Sequence, residues 1–219
     1  AYGTDPDDPD TDGDGYDDII VGAQGSTATH NGRVYIHHGS AAGAAAVPAT
    51  TLYGSSSSTS FGGEVVGLGD IDGDGYDDIA VCGGASTGRG VLSVFRGSAS
   101  GIGASYYQQI SDPTGGGEGW CQALAAGDFD GDGYGDLAIA APYYDYSSSM
   151  TDSGRIYIHH SNGRYFSSTA DSTITVASYG QHLGGAMAGG HDVNGDGYDD
   201  LIVGPDIYAT VTDYALVYY

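Results

Sequence analysis

The amino-acid sequence predicts an all-β protein, a β-propeller with about four blades of mostly four antiparallel strands each. An Asp-rich nine-residue segment occurs four times, beginning at residues 10, 70, 128 and 192. Short apolar runs separated by Gly- and Ser-rich turns follow each copy, and no stretch keeps the apolar period of a helix. This periodicity is typical of propeller blades, either in a complete small ring or in part of a larger one.

The repeats predict a single propeller segment over residues 1–219, with approximate units 1–54, 55–111, 112–177 and 178–219. A β-branched apolar run directly after each Asp-rich segment predicts one strand per unit, at residues 19–21, 79–81, 137–139 and 201–203. A further strand follows a variable loop, at residues 32–38, 91–95, 154–160 and 214–218. Small-residue strands, which suit the crowded propeller centre, precede the last three Asp-rich segments, at residues 61–69, 120–127 and 183–190. Weaker outer strands are predicted at residues 49–53, 106–110 and 172–177.

The Asp-rich segments have the residue pattern of a calcium-binding loop. Positions 1, 3, 5 and 9 carry side-chain oxygens, the Gly at position 6 permits a sharp turn, and the Tyr at position 7 offers its backbone carbonyl. Oxygen-only donor sets favour Ca²⁺ over Zn²⁺ or copper. The sequence therefore predicts about four Ca²⁺ ions as cofactors. The predicted ligands are Asp10, Asp12, Asp14, Tyr16, Asp18, Asp70, Asp72, Asp74, Tyr76, Asp78, Asp128, Asp130, Asp132, Tyr134, Asp136, Asp192, Asn194, Asp196, Tyr198 and Asp200.

The alternative interpretation is that these segments are ordinary Asp-Gly turns on a solvated surface. Four copies in register favour metal binding, and 15 of the 29 acidic residues lie at ligand positions. The acids at position 8, Asp17, Asp77 and Asp199, are not expected to be ligands, because the third loop has Gly135 there. Since repeat units interact mainly with their neighbours, we expect each loop to hold its ion independently.

The order of these motifs resembles a known repeat. The repeat is similar to the FG-GAP repeat of integrin α-subunit propellers and their bacterial and fungal relatives. Its motifs occur in the order Phe-Gly, Gly-Asp-x-Asp-Gly-Asp-Gly-Tyr-x-Asp, Gly-Ala-Pro and Gly-Arg-Val-Tyr. Phe61-Gly62 carries the first half of this pattern, and Ala141-Pro142 a version of the second. Gly119-Trp120 and Leu183-Gly184 stand where Phe-Gly is expected. The resemblance implies that the calcium loops lie on the face opposite the usual ligand-binding loops.

The charge of the chain excludes several classes of partner. Its formal net charge is -24, with only five Lys or Arg residues, so nucleic acid and anionic membrane surfaces are repelled. No apolar run approaches the length of a membrane-spanning helix, so no membrane insertion is expected. The resemblance implies an extracellular location, either secreted or at the cell surface.

Three further groups of residues invite interpretation. Cys82 and Cys121 lie in neighbouring units and form either one disulfide or two buried thiols. Each of the His37-His38 and His159-His160 pairs lies on a strand, where adjacent side chains point to opposite faces, so a structural role is expected. Loops on the face away from calcium carry tyrosines that either bind a glycan, as in a lectin, or pack between blades. The candidate ligand-binding residues are Tyr143, Tyr144, Asp145, Tyr146 and Tyr208.

The sequence shows no catalytic triad spacing, phosphate loop or cysteine cluster, so the chain is not predicted to be an enzyme. The resemblance implies an integrin-like extracellular binding or adhesion module that recognises a protein or a glycan. The alternative is a propeller segment of a secreted polysaccharide-degrading enzyme. The first unit lacks an inner strand and the last lacks an outer one, so we expect either a homo-oligomer formed through open propeller edges or closure within one chain.

Overall fold

The structure is a computed structural model that describes residues 9–25, 31–54, 60–84, 90–205 and 215–219. Within these residues, fourteen β-strands form four antiparallel sheets, and none of the described residues is helical. The predicted all-β propeller is therefore confirmed. No described segment forms a helix that is long and apolar enough to cross a membrane.

Each sheet is one propeller blade, and the strands follow each other from the centre outwards. Blade 1 contains β1 (Ile19–Ala23), β2 (Arg33–His37) and β3 (Thr50–Tyr53). Blade 2 contains β4 (Val65–Gly69), β5 (Asp78–Gly84), β6 (Gly90–Phe95) and β7 (Gln108–Ser111). Blade 3 contains β8 (Leu124–Gly127), β9 (Asp136–Ala141), β10 (Arg155–His159) and β11 (Ser172–Thr175). Blade 4 contains β12 (Leu183–His191), β13 (Asp200–Pro205) and β14 (Leu216–Tyr218).

The hydrophobic core lies between the blades in three separate clusters. Side chains such as Val34 and Phe95 fill the space between blades 1 and 2. The largest cluster, which includes Leu92 and Trp120, joins blades 2 and 3. A third cluster, which includes Ile156 and Val203, joins blades 3 and 4. Each blade is therefore stabilised mainly by its neighbours, as in other repeat proteins.

A small-residue contact recurs at every interface between blades. A glycine lies at the start of β6 and directly before β2 and β10, which are the equivalent strands of blades 2, 1 and 3. It packs against the backbone of the next blade, and a Cβ added to it would lie 1.9–2.4 Å from a backbone atom. The glycines and the residues that they contact are Gly32 with Phe61, Gly90 with Trp120, and Gly154 with Leu183. Trp120, which is 5% exposed, thus takes the aromatic position of the third repeat. This corrects the alignment of Gly119-Trp120 with Phe-Gly by one residue.

The cysteines form a disulfide between blades 2 and 3, with the Cα atoms of Cys82 and Cys121 5.7 Å apart. Cys121 takes the place of the Gly in Phe-Gly and has a positive φ of 70°, which resembles the φ of 77° at Gly62. At the matching place between blades 1 and 2, an added Cβ on Gly22 would meet the carbonyl of Gly62. The disulfide therefore replaces a glycine contact with a covalent bond.

The two end blades have three strands each in the described part of the chain. Strand packing joins blade 1 to blade 2, blade 2 to blade 3, and blade 3 to blade 4. No comparable packing joins blade 4 to blade 1 within the described residues. Apolar side chains stay exposed on both end blades, with Ile19 at 51%, Val21 at 43% and Ile202 at 42%.

Candidate metal centre

Each Asp-rich segment folds into a loop directly before β1, β5, β9 or β13, and we number these loops 1 to 4. Loops 2 to 4 follow the inner strands β4, β8 and β12 of their blades. The Asp at position 1 organises the loop by accepting hydrogen bonds from backbone N–H groups that follow it. Asp10 accepts from Gly13 at 2.8 Å and from Gly15 at 2.9 Å, and the position-6 glycines of the other loops make the same bond at 2.8–2.9 Å. The glycines at positions 4 and 6 all have φ between 71° and 96°, which is why glycine occurs at both.

The Asp at position 9 anchors the end of the loop in the protein interior. These residues, Asp18, Asp78, Asp136 and Asp200, are at most 5% exposed. Each accepts a hydrogen bond from the backbone N–H of position 2, as Asp200 does from Val193 at 2.8 Å. In the first three loops, Oδ1 of the position-9 Asp accepts a hydrogen bond from a backbone N–H that follows β2, β6 or β10. For Asp78 the donor is Gly97, at 2.8 Å.

The structure brings most of the predicted carboxylate ligands together. In loops 1 to 3, three of them place one ligand atom each within 4.8 Å of the others. These sets are Asp10 with Asp12 and Asp14, Asp70 with Asp72 and Asp78, and Asp128 with Asp130 and Asp132. In loop 4 the amide nitrogen of Asn194 lies 3.1 Å from Asp196 and 3.5 Å from Asp200, so the same positions converge there.

The tyrosines at position 7 contribute differently to the loops. Their backbone N–H groups donate to the Asp at position 5, for example Tyr16 to Asp14 at 2.9 Å. Three of the rings are exposed, with Tyr16 at 45%, Tyr134 at 36% and Tyr198 at 46%, whereas Tyr76 is partly buried. The role of their carbonyl oxygens as metal ligands, predicted for Tyr16, Tyr76, Tyr134 and Tyr198, stays a prediction.

Burial makes the charged form unfavourable for four of these carboxylates. Desolvation raises the pKa of Asp78 to about 7 and that of Asp136 to about 6. Burial also raises the pKa of Asp12 and of Asp74. Asp192 behaves differently, because hydrogen bonds led by the Gly197 N–H lower its pKa. A bound cation would offset the cost of keeping the buried carboxylates ionised.

A basic side chain reaches into each of the first three loops, and it belongs to the residue directly after β2, β6 or β10. The Nδ1 atom of His38 lies 2.8 Å from Asp12, and Nη1 of Arg96 lies 2.8 Å from Asp72. The Nδ1 atom of His160 lies 2.8 Å from Asp136 and 3.5 Å from Asp130. The contacts of these three side chains were not predicted from the sequence. The repeat alignment contained a signal, because all three residues follow equivalent strands.

The orientation predicted for the two histidine pairs is correct. The Nδ1 atom of His37 faces the carbonyl oxygen of Ala45 at 2.7 Å, and that of His159 faces the carbonyl oxygen of Ser167 at 3.0 Å. Their neighbours His38 and His160 point into the metal loops instead. Each pair therefore divides its two side chains between separate environments.

Loop 2 has a feature that fits a cation directly. The Asp72 side chain is 10% exposed, and its Oδ2 pairs with Arg96. Its Oδ1 is buried and has no hydrogen-bond partner among the described residues. A buried carboxylate oxygen without a partner is unfavourable unless a ligand satisfies it. One carboxylate oxygen of Asp72 also lies within 4.8 Å of an oxygen from Asp70 and one from Asp78, and such an oxygen donor set suits Ca²⁺.

The candidate ligand-binding tyrosines on the opposite face have varied surroundings. Tyr143 packs edge-on against the ring of His182 at 5.2 Å, and the guanidinium of Arg155 lies 3.5 Å from the centre of the Tyr144 ring. Asp145 accepts a hydrogen bond from the backbone of Asp152 at 2.9 Å. Tyr146 is 51% exposed. Tyr208 lies outside the described residues.

Comparisons with known proteins give a consistent result. The FG-GAP repeat pattern matches residues 122–159, and the FG-GAP-like repeat pattern matches residues 10–81 and 70–139. Human integrin alpha-IIb is 36% identical over 148 residues, covering 60% of this chain and 14% of the integrin. Integrin alpha-4 of Xenopus laevis is 33% identical over 141 residues, covering 60% of this chain and 13% of the integrin. Integrin alpha pat-2 of Caenorhabditis briggsae is 27% identical over 219 residues, covering 89% of this chain and 17% of the integrin. The chain thus spans less than a fifth of the length of these relatives.

Proposed function

This chain belongs to the FG-GAP repeat family, and from this premise we propose that it is a calcium-binding propeller module that recognises a partner outside the cell. The observation that carries the calcium assignment is the buried Oδ1 of Asp72 in loop 2, which has no hydrogen-bond partner among the described residues. Equivalent carboxylates converge in loops 1 and 3. Calcium would neutralise part of the formal net charge of -24.

We assign one Ca²⁺ to each loop, held by the side chains at positions 1, 3, 5 and 9 and by the carbonyl at position 7. Bound calcium would supply the positive charge that the clustered carboxylates lack. The protein contributes the loop geometry, because the position-1 Asp orders the backbone and the position-9 Asp is fixed by buried hydrogen bonds. The role that we propose for calcium is structural.

Two observations support recognition outside the cell. The disulfide between Cys82 and Cys121 favours an oxidising compartment, where such bonds persist. The relatives reported above are all integrin alpha chains, which supports binding over catalysis. The partner that we propose is an extracellular protein or a glycan, bound on the face opposite the metal loops near the exposed Tyr146.

Removal of calcium tests the metal assignment. We expect excess chelator to lower the thermal midpoint strongly, because binding to the native state adds about 3–4 kcal/mol per site at 100 to 1,000 times the dissociation constant. The measurement is a thermal unfolding curve in calcium and in chelator. Sodium chloride at matched ionic strength is the control, since screening alone should restore only part of the midpoint. An unchanged midpoint in chelator would show that the loops are ordinary turns.

The binding role is tested with immobilised extracellular proteins and a glycan array, each probed in calcium and in chelator. We expect calcium-dependent binding that Tyr146→Ala weakens and that the similarly exposed Tyr165→Ala leaves intact. Polysaccharides are incubated in parallel. Their turnover would overturn the non-catalytic role.

A further inference from the structure

Loops 1 and 2 are joined by a reciprocal pair of hydrogen bonds. The backbone N–H of Asp10 donates to Oδ2 of Asp77 at 2.9 Å. In return, the backbone N–H of Asp77 donates to the carbonyl oxygen of Asp10 at 3.1 Å. Asp10 is position 1 of loop 1 and Asp77 is position 8 of loop 2. The acid that is not expected to bind metal in one loop thus holds the first residue of the neighbouring loop.

Loops 3 and 4 repeat this arrangement. The backbone N–H of Asp128 donates to Oδ2 of Asp199 at 2.7 Å, and the N–H of Asp199 donates to the carbonyl oxygen of Asp128 at 2.9 Å. The aromatic contacts follow the same pairing. A Cβ on Gly13 of loop 1 would lie 2.8 Å from the Tyr76 ring, and one on Gly131 of loop 3 would lie 2.9 Å from the Tyr198 ring.

Loops 2 and 3 lack the carboxylate half of this arrangement. Position 8 of loop 3 is Gly135, which has no side chain to reach loop 2. An added Cβ at Gly135 would lie 2.1 Å from the carbonyl oxygen of Leu68, so the site has no room for a side chain. The chain therefore divides its four loops into two pairs.

The pairing reaches the part of the loop that organises the metal ligands. Asp10 accepts the N–H groups of Gly13, Asp14 and Gly15, so a shift of its backbone displaces most of loop 1. Asp77 stands directly before the closing ligand Asp78 of loop 2. An ion that orders the end of loop 2 also fixes Asp77, and loop 1 then has less disorder to lose on binding its own ion.

We infer that the metal loops bind ions as two cooperative pairs, 1 with 2 and 3 with 4, and that Asp77 and Asp199 are the residues that position the neighbouring loop in each pair. This inference rests on the proposed calcium binding. It replaces four independent loops, which the sequence alone favoured, with two coupled units.

The test follows each loop separately by NMR during a calcium titration. The backbone N–H groups of Gly15, Gly75, Gly133 and Gly197 donate to the position-1 Asp of their own loops, so their amide signals report the four loops individually. For Asp77→Ala we expect the Gly15 signal to respond at about tenfold higher calcium, the loss expected for one charge-assisted hydrogen bond. The Gly133 and Gly197 signals should respond as in the unmodified protein, which also shows that the variant is folded.

Two variants separate the hydrogen bond from simple charge. Asp77→Asn keeps an acceptor oxygen and should restore most of the Gly15 response. Asp17→Ala removes the equivalent acid of loop 1, which is exposed, and should leave all four responses unchanged. Asp199→Ala should shift Gly133 in the same way, and this provides a second case if Asp77→Ala does not fold.

The outcomes distinguish this inference from the proposed function. If calcium moves none of the four glycine signals in the unmodified protein, calcium binding itself is wrong. If all four respond but Asp77→Ala leaves Gly15 unchanged, the loops bind calcium independently and the pairing is overturned. Equal effects of Asp77→Ala, Asp77→Asn and Asp17→Ala would also overturn it, because they would show a dependence on net charge alone.

Discussion

Asp78 and Asp136 close their loops from positions with almost no solvent exposure, 1% and 0% respectively. Burial raises the pKa of both carboxyl groups well above the ordinary value of 3.8, to about 7 and about 6. Burial therefore favours the protonated form of each group at pH values below its raised pKa. The proposed calcium binding would require the ionised forms, so proton and calcium would compete for the same oxygens.

This competition predicts opposite pH responses with and without calcium. A raised folded-state pKa contributes stability that is complete below the unfolded value and is lost as pH rises through the folded value. In chelator, the thermal midpoint should therefore fall as pH rises from about 4 to about 7. Calcium affinity should instead weaken as pH falls through that window. Thermal unfolding and calcium titration across the pH range measure the two trends.

The matched control for the pH trend is Asp78→Asn, which cannot ionise at this position. In chelator, the thermal midpoint of this variant should decrease less with rising pH than that of the unmodified protein. If the unmodified protein gained stability with rising pH in chelator, the assigned pKa directions would be wrong.

The convergence of the carboxylates in each loop could be predicted from the sequence, because each carboxylate has a fixed place in a repeated loop. The contacts of His38, Arg96 and His160 with the loops could not be predicted in the same way, because they depend on which side of a strand faces a loop. Arg96 shows the difficulty. It stacks on the Tyr107 ring at 3.4 Å and donates to the carbonyl oxygen of Arg164 at 2.8 Å, and the second contact joins residues far apart in sequence.

At the scale of elements, the apolar and small-residue runs predicted all fourteen strands of the described residues to within a few residues. The bounds were less predictable where the strands are irregular. The pairing of β4 with β5 shifts register between Gly67 and Gly69, and that of β12 with β13 shifts twice. Such bulges depend on packing at the propeller centre, and glycine-rich strands show little pattern that would reveal them.

The disulfide is an element-scale feature that the sequence left open. Cys82 lies in β5, Cys121 lies just before β8, and the bond closes a sequence separation of 39 residues. We expect Cys82→Ala with Cys121→Ala to lower the free energy of unfolding by about 4 kcal/mol, the chain-entropy value for such a loop. Urea denaturation in saturating calcium measures the change.

A second double variant tests the glycine-like backbone at Cys121, where φ is 70°. Cys82→Ala with Cys121→Gly should be about 1 kcal/mol more stable than the double alanine variant, because glycine adopts this conformation without strain. Equal stabilities of the two variants would show that this backbone is unstrained in alanine.

At the scale of the whole molecule, the exposed flanks of the end blades predict self-association. Val21 and Ile202 are 43% and 42% exposed on blades 1 and 4, and no extensive strand packing connects these blades in the described part of the chain. We expect a calcium-saturated sample to form a dimer or larger assembly that sedimentation velocity detects. A monomer that is independent of concentration would contradict this expectation.

A matched pair of variants locates the contact. Val21→Glu places a charge on the exposed flank of blade 1 and should dissociate the assembly. Val47→Glu places the same charge on a loop side chain that is 76% exposed and should leave the assembly intact. Dissociation by both variants would place the contact elsewhere.

The interface between blades 2 and 3 also has a mechanical consequence. The disulfide encloses β6 and β7, so a pulling force on the chain cannot straighten these strands while the bond is intact. About 130 Å of chain length is thereby withheld from extension. Reduction of the disulfide would allow this segment to extend under force. The matching glycine contact between blades 1 and 2 is not covalent, so it cannot prevent extension in this way.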